Sequence, residues 1–273
     1  MSDPIAVDPH RTRDRLLVVA GAILIAATYS YLILSQPAEI AASGTSRAGL
    51  IAMAGYLVGA VLIAAGSVRQ IPTAVIAMIP VAIALNIVAG QIVSTLSLTV
   101  YLDSIGTVLV SVLAGPAAGV VTGILSNVIW GLTLTPIPLP FAVVQVVIAV
   151  LAGLAARAGV FRHVYLPPLA GVLTGFVTAM VSAPIAAFVF GGATGGSAGA
   201  IVGAFQAMGR SLLEATTLQG LLYDPLDKAI TFTVVGILIA ALPARFLQRF
   251  PFARTYRVFG KGPLTRTPTT SAG

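Results

Sequence analysis

Apolar stretches recur along the chain, and short polar segments with proline, glycine or arginine separate them. Most of these stretches have 17 to 25 residues, which is enough for a helix to cross a hydrocarbon core of about 30 Å. The stretch 104–114 is shorter, so we expect neighbouring residues to extend it or protein to shield it. The pattern predicts eight membrane-spanning helices, at 16–34, 49–66, 72–94, 104–114, 116–132, 138–156, 166–190 and 229–247.

The composition supports a membrane protein, because 58% of the residues are hydrophobic and only 8% are charged. A soluble domain carries about 25% charged residues. The mean hydropathy of +1.01 agrees. The net charge of +7 comes from basic residues that flank the apolar stretches, so it indicates a lipid bilayer as the partner and no nucleic acid. The predicted fold class is therefore an all-α integral membrane protein.

The helix order predicts a core that follows two additional helices. Residues 1–15 form a polar cytosolic tail and 16–67 hold the two additional transmembrane helices, the first of which is expected to be a retained signal anchor. The core covers 72–250 and includes an outer loop at 191–223. A basic cytosolic tail follows at 251–273.

The outer loop contains a glycine-rich linker and the segment 198–222. Its residues Gln206, Arg210 and Glu214 recur every fourth position, which predicts one amphipathic helix lying at the membrane surface. We expect Asp224-Pro225 to end this helix, because proline interrupts helical hydrogen bonding.

The distribution of basic residues predicts the orientation. With eight spans and both termini in the cytoplasm, twelve of the 15 Lys and Arg residues lie inside. The three that lie outside are Arg47, Arg210 and Lys228, so the basic residues favour this orientation. The predicted location is the cell membrane, as a multi-pass protein. The same topology places the acidic residues Asp103, Glu214, Asp224 and Asp227 on the outer side, at a polar and irregular mouth.

The stretch 86–130 concentrates polar residues within an apolar sequence. Small or polar residues at 115, 119, 123, 127 and 131 share one helix face, which we expect to be buried. The amides in the spans either bond neighbouring helices or contact a ligand. An acidic residue before a helical run either caps the helix or binds a ligand, and the tryptophan either lies in an interfacial belt or stacks on a ring. These candidates are Asn86, Asp103, Asn127, Trp130 and Gln145.

Three segments resemble the substrate-binding S component of energy-coupling factor (ECF) transporters. They are the run at 84–127 with its YLD-IGT and GP-xx-G elements, the glycine-rich segment at 190–199, and the run at 224–250 with its DP-x-DK element. The resemblance covers about 72–250 and implies a six-helix core. It also implies capture of a vitamin or related micronutrient from outside, and docking on a T component that two cytosolic ATPases drive. It adds Tyr101, Asp227 and Lys228 as candidate binding residues; the last two could also simply begin a helix.

The first core helix of the family often docks on the T component through an AxxxA motif, which the corresponding segment 72–94 lacks. Ala82 and Gly90 offer a small-residue face instead, and the GxxxG pair Gly55 and Gly59 is an alternative docking site. The simpler interpretation of that pair is tight packing against a neighbouring helix.

The chain carries no motif typical of an enzyme, a metal site or a cofactor site, so we expect none of these. Two other functions stay open: a membrane sensor module, although the tail after 247 is too short for a kinase, and a self-sufficient secondary carrier. A carrier predicts inverted repeats or an intramembrane carboxylate, and neither is evident. The amides and the tryptophan predict a flat, weakly charged heterocycle as the ligand.

Overall fold

The computed structural model describes residues 9–36, 40, 46–67, 73–194 and 197–258, and their regular elements are all helical. They include two 3-10 helices, at Leu139–Phe141 and Val160–Arg162. The α-helices are α1 (Pro9–Ser35), α2 (Arg47–Ser67), α3 (Thr73–Thr95), α4 (Ile105–Ala114), α5 (Pro116–Thr133), α6 (Ala142–Arg157), α7 (Leu166–Phe188), α8 (Ala198–Ala207), α9 (Leu212–Ala241), α10 (Ala244–Leu247) and α11 (Pro251–Thr255).

Six helical segments of the described residues are long and apolar enough to cross a membrane. This confirms an all-α, multi-pass membrane protein, while the count of eight spans stays a prediction. The short α4 and the long, polar α9 fall outside the six, which are Thr12–Ser35, Arg47–Ser67, Thr73–Thr95, Pro116–Thr133, Leu139–Arg157 and Leu166–Phe188.

The short helix α4 lies inside the bundle, as expected for a segment that cannot cross alone. Nearly all of its residues are buried, and Gly115 with φ +94° separates it from α5. Only glycine adopts this φ freely. Pro116 then starts α5, because the first helical position does not need an N–H donor.

The single amphipathic helix predicted at 198–222 is wrong. Gly209, with φ +83°, ends the first of two helices, and Ser211 caps the second. The Ser211 N–H donates to a Glu214 carboxylate oxygen at 2.9 Å, and the Glu214 N–H donates to Ser211 Oγ at 3.3 Å. The first of these hydrogen bonds holds the pKa of Glu214 below its usual value. Arg210 precedes α9, so the predicted helical stripe through it does not exist.

The predicted helix end at Asp224-Pro225 is also wrong, because α9 runs through Pro225 and has 30 residues. At 1.5 Å per residue it is about 45 Å long. Gly171 and Gly175 of α7 have no side chain where the α9 backbone passes: a Cβ at Gly175 would collide with Pro225, and one at Gly171 with Lys228. Close packing thus stabilises a proline-containing helix that local preference would break.

Helices α1 and α2 form a pair that packs through glycines. A Cβ at Gly59 would collide with Ile25 and approach Gly21, and one at Gly55 would collide with Thr28. Helix α1 begins at Pro9, so it already includes the last residues of the predicted polar tail at 1–15. Residues 1–8, 195–196 and 259–273, which include parts of both predicted tails and of the glycine linker, lie outside the described residues.

Candidate functional site

A cavity of about 410 Å³ lies within the bundle formed by α3 to α9. Residues from α3, α5, α6, α7, α8 and α9 line it, together with the connections that precede α4 and α6. No described residue of α1 or α2 contributes to the lining. Ligand sites in proteins commonly have volumes of about 300–1,000 Å³, so this cavity can hold a small organic molecule.

Behind the cavity wall, Asn86 connects three helices and is completely buried. Its Nδ2 donates to Thr107 Oγ1 at 2.9 Å and to Ser126 Oγ at 3.0 Å, while its Oδ1 accepts from the Gly106 N–H at 2.6 Å. All the bonding capacity of this amide is therefore used. The structure favours the helix-bonding interpretation of Asn86 over ligand contact.

Gln145 and Asn127 continue this polar layer to the cavity surface. Gln145 Oε1 accepts from Thr107 Oγ1 at 2.8 Å, and its Nε2 donates to the Asp103 carbonyl at 3.1 Å. Asn127 Nδ2 donates to the Pro138 carbonyl at 2.9 Å. Its Oδ1 is buried without a hydrogen-bond partner in the described part of the chain. Asn127 can therefore accept a hydrogen bond from a ligand.

The charged groups Asp103, Asp224, Asp227 and Lys228 form a cluster at one side of the cavity. Lys228 Nζ contacts the Asp227 carboxylate directly and lies 3.8 Å from Asp103 Oδ1. It also donates to Ser104 Oγ at 3.2 Å. The neighbouring carboxylates offset the cost of burying the positive charge of Lys228. We call these four residues the charge cluster.

Asp227 fixes the connection between α3 and α4. Its Oδ1 accepts from the backbone N–H groups of Tyr101 and Leu102, both at 2.8 Å. Leu102 has a φ of +50°, an uncommon value for a residue with a side chain. The carboxylate thus attaches an irregular connection to α9 through two backbone hydrogen bonds.

Aromatic side chains complete the cavity. Trp130 Nε1 donates to Gln91 Oε1 at 3.0 Å, and its ring packs where Gly90 has no side chain. Tyr101 and Tyr223 lie with ring centroids 6.5 Å apart. Three aromatic rings in the lining suit a ligand with a planar group.

Six of the eight predicted binding residues line the cavity, and the other two lie behind it. The connection before α4 and helices α5, α6 and α9 contribute the six. Asn86 and Asp227 support the lining without forming it. Asp103 does not cap α4, because Ser104 occupies that position, and its carboxylate faces Lys228 instead. The six lining residues are Tyr101, Asp103, Asn127, Trp130, Gln145 and Lys228.

The residues suggested for partner docking are engaged within the chain. Ala82 is buried where the backbone of Gly106 packs against it, and Gly90 lies under Trp130. Gly55 and Gly59 pack against α1. The structure shows the packing interpretation of the GxxxG pair, in which Gly59 is buried and Gly55 is half-buried.

The sequence analysis missed Asp224, Gln91, Tyr223 and Gln219 as cavity residues. A signal was available in α9, where polar residues share one face of the helix for four turns. Because the helix was expected to end at Pro225, the polar positions before and after it were not recognised as one continuous face. Its buried members are Thr216, Gln219, Tyr223, Asp224, Asp227, Lys228 and Thr231.

Comparison of the chain with family models, curated proteins and solved structures gave no match.

Proposed function

We propose that the protein is the substrate-binding S component of an ECF-type importer in the cell membrane, with both termini in the cytoplasm. It captures a vitamin or related micronutrient from outside. The observation that carries the proposal is the cavity, a polar and aromatic space of about 410 Å³ within an otherwise apolar bundle.

The proposal assigns eight spans. Six are the long apolar segments described above, and α4 and the C-terminal part of α9 are the other two. The six-helix core then consists of α3 to α7 and α9. Supporting this division, the lining residues come from 90–228, which falls inside the proposed core.

The proposed partners are a T component and two cytosolic ATPases. The sequence has no glycine-rich nucleotide loop of the Walker type, so uptake driven by ATP would need another subunit to bind the nucleotide. Ala82, Gly90, Gly55 and Gly59 all pack within the chain, so docking through them would need a partner to contact the exposed surface beside them.

A secondary carrier is the second candidate, and the charge cluster favours it. Asp224 and Asp227 are at most 5% exposed and lie within α9 rather than at a helix start. Buried carboxylates in membrane helices are typical of ion-coupled transport. This is the feature that the sequence analysis required of a carrier and did not find.

Purification of the tagged protein from its native membrane, followed by identification of the co-purifying proteins, tests the two candidates. The importer predicts recovery of a membrane T subunit with two ATPases, and uptake that stops when ATP is removed. Recovery of the protein alone, with uptake that follows an ion gradient, would establish the carrier.

The cavity itself is tested by Asp103→Ala and Trp130→Ala. Each variant is expected to keep its fold and to lose affinity for the transported compound, because both side chains line the space. Unchanged affinity in both variants would exclude this cavity as the binding site.

A further inference from the structure

The cavity contains an excess of negative charge. Among the described residues that line it, Lys228 is the only basic one, and Asp103 and Asp224 are the acidic ones. Asp227, directly behind the lining, is the closest partner of Lys228. One lysine therefore serves three carboxylates.

Asp227 and Lys228 neutralise each other, and this leaves two carboxylates without an equal counter-charge. Asp103 Oδ1 is 3.8 Å from Lys228 Nζ, too far for a strong hydrogen bond, and its side chain is 24% exposed. Asp224 lies one helical turn before Lys228 and interacts with the hydroxyls of Ser182 and Thr178, which carry no charge. An incompletely paired carboxylate in a low-dielectric site is costly.

The hydrogen-bonding groups around the cavity leave several acceptors free. Trp130 donates to Gln91, and the Tyr223 hydroxyl donates to Ser197 Oγ at 3.1 Å, so both donors are used. The Tyr101 hydroxyl accepts from Gln219 Nε2 at 3.0 Å and keeps its own O–H as a donor. The free acceptors include the two carboxylates and Asn127 Oδ1, which has no partner in the described part of the chain. A ligand that brings donors would satisfy these acceptors.

From these observations, and given the proposed role of the cavity as a ligand site, we infer that the ligand is an organic cation with a planar ring and N–H donors. Its positive charge offsets Asp103 and Asp224, and an N–H group binds Asn127 Oδ1. Trp130, Tyr101 and Tyr223 supply ring faces that attract a cation. This replaces the weakly charged heterocycle predicted from the sequence.

A bare metal ion fits less well. Within the described residues, no three acidic or histidine side chains converge closely enough to hold one. The volume of about 410 Å³ is also larger than an inorganic ion needs, and hard metal ions bind oxygen ligands rather than aromatic rings.

Three indole probes of similar shape test the inference with the full chain in lipid nanodiscs: tryptamine as the cation, tryptophol as the neutral analogue and indole-3-acetate as the anion. We expect tryptamine to bind at least about tenfold more tightly than the other two, because a charge-assisted hydrogen bond is stronger than a neutral one. Titration followed by isothermal calorimetry gives the three dissociation constants.

Asp224→Asn keeps the size of the side chain and removes its charge, so the preference for tryptamine is expected to fall to about twofold or less. Asp103→Asn, at the more accessible carboxylate, is the second variant if Asp224→Asn does not fold. Asp14→Asn is the matched control, since Asp14 lies on α1, outside the lining. Its preference is expected to be unchanged.

Equal or tighter binding of tryptophol or indole-3-acetate, lost on Trp130→Ala, would overturn the cation inference while keeping the cavity as a ligand site. Binding of none of the probes would also overturn it. The importer proposal is judged separately, by whether ATPase subunits co-purify with the chain, so the two can fail independently.

Discussion

The α1–α2 pair and the cavity-bearing bundle are both helical and membrane-embedded, but different forces hold them together. The pair packs through glycines against side chains such as Ile25 and Thr28. The bundle contains the Asn86 network and the charge cluster in its interior. Dispersion contacts stabilise the first region, while paired polar groups hold the second in one specific arrangement.

The difference indicates that the polar interior exists for function rather than for stability. A buried ion pair is often no more stabilising than well-packed apolar residues of similar volume, whereas losing one member of the pair is costly. The α1–α2 pair shows that this chain can pack helices without such groups. The charge cluster should therefore be the most sensitive part of the molecule.

The largest effect is expected from Lys228→Met. The substitution leaves the carboxylates of the charge cluster without their cation, which should lower the free energy of unfolding by about 3–5 kcal/mol. Thermal unfolding in detergent measures the loss. Asp227→Asn combined with Lys228→Met should recover part of it, because fewer unpaired charges stay buried. If Lys228→Met alone is as stable as the wild type, the cluster does not have the pairing described.

Asn86→Leu should have the next largest effect. It removes the partner of the Gly106 N–H and of the Thr107 and Ser126 hydroxyls. A buried polar group left unsatisfied costs about 1–3 kcal/mol. We expect a loss near the upper part of this range, measured by the same unfolding experiment. Asn86→Gln as a control would test whether the amide alone, without its geometry, is sufficient; full stability of Asn86→Leu would contradict the network.

Gly59→Leu acts on the other region. The new side chain would collide with Ile25, and overpacking of this kind typically costs about 1–3 kcal/mol. Because the pair contributes no described residue to the cavity, ligand affinity should stay within about twofold of the wild type. Val58→Leu, at a neighbouring position that is 50% exposed, is the matched control and should change neither property. Loss of ligand affinity in Gly59→Leu would show that the two regions are coupled.

The smallest effect is expected from Tyr56→Phe. The Tyr56 hydroxyl donates to the Pro140 carbonyl at 3.2 Å and so connects α2 to the start of α6. Loss of one such hydrogen bond costs about 0.5–1.5 kcal/mol. Tyr31→Phe on α1, where the side chain is 37% exposed, should show no measurable change. Equal melting temperatures for Tyr56→Phe and the wild type would mean that the pair is held by helix packing alone.

The sequence predicted the helical segments well because hydropathy reports directly on the lipid environment. The prediction of a buried face with small residues at 115, 119, 123, 127 and 131 is also confirmed. Here the reason is that spacing along a helix determines which residues share a face. Residues selected for polarity within apolar runs, such as Asn127 and Trp130, also proved to line the cavity.

The course of α9 could not be predicted from local sequence. Pro225 breaks a helix by its own preference, and only the glycines Gly171 and Gly175, more than 45 residues earlier, allow the packing that overrides it. The split between α8 and α9 was readable in principle, because Ser211 and Glu214 match a capping box. The apparent stripe through Arg210 competed with that signal.

The hydrogen bonds that Asp227 accepts have a consequence for deuterium exchange. The amides of Tyr101 and Leu102 belong to a connection without regular secondary structure, where exchange is normally fast, yet both donate to a buried carboxylate. Their exchange requires this connection to separate from α9. A peptide that covers the two residues therefore serves as a built-in gauge of how often the wall beside the cavity opens, before any ligand has been identified.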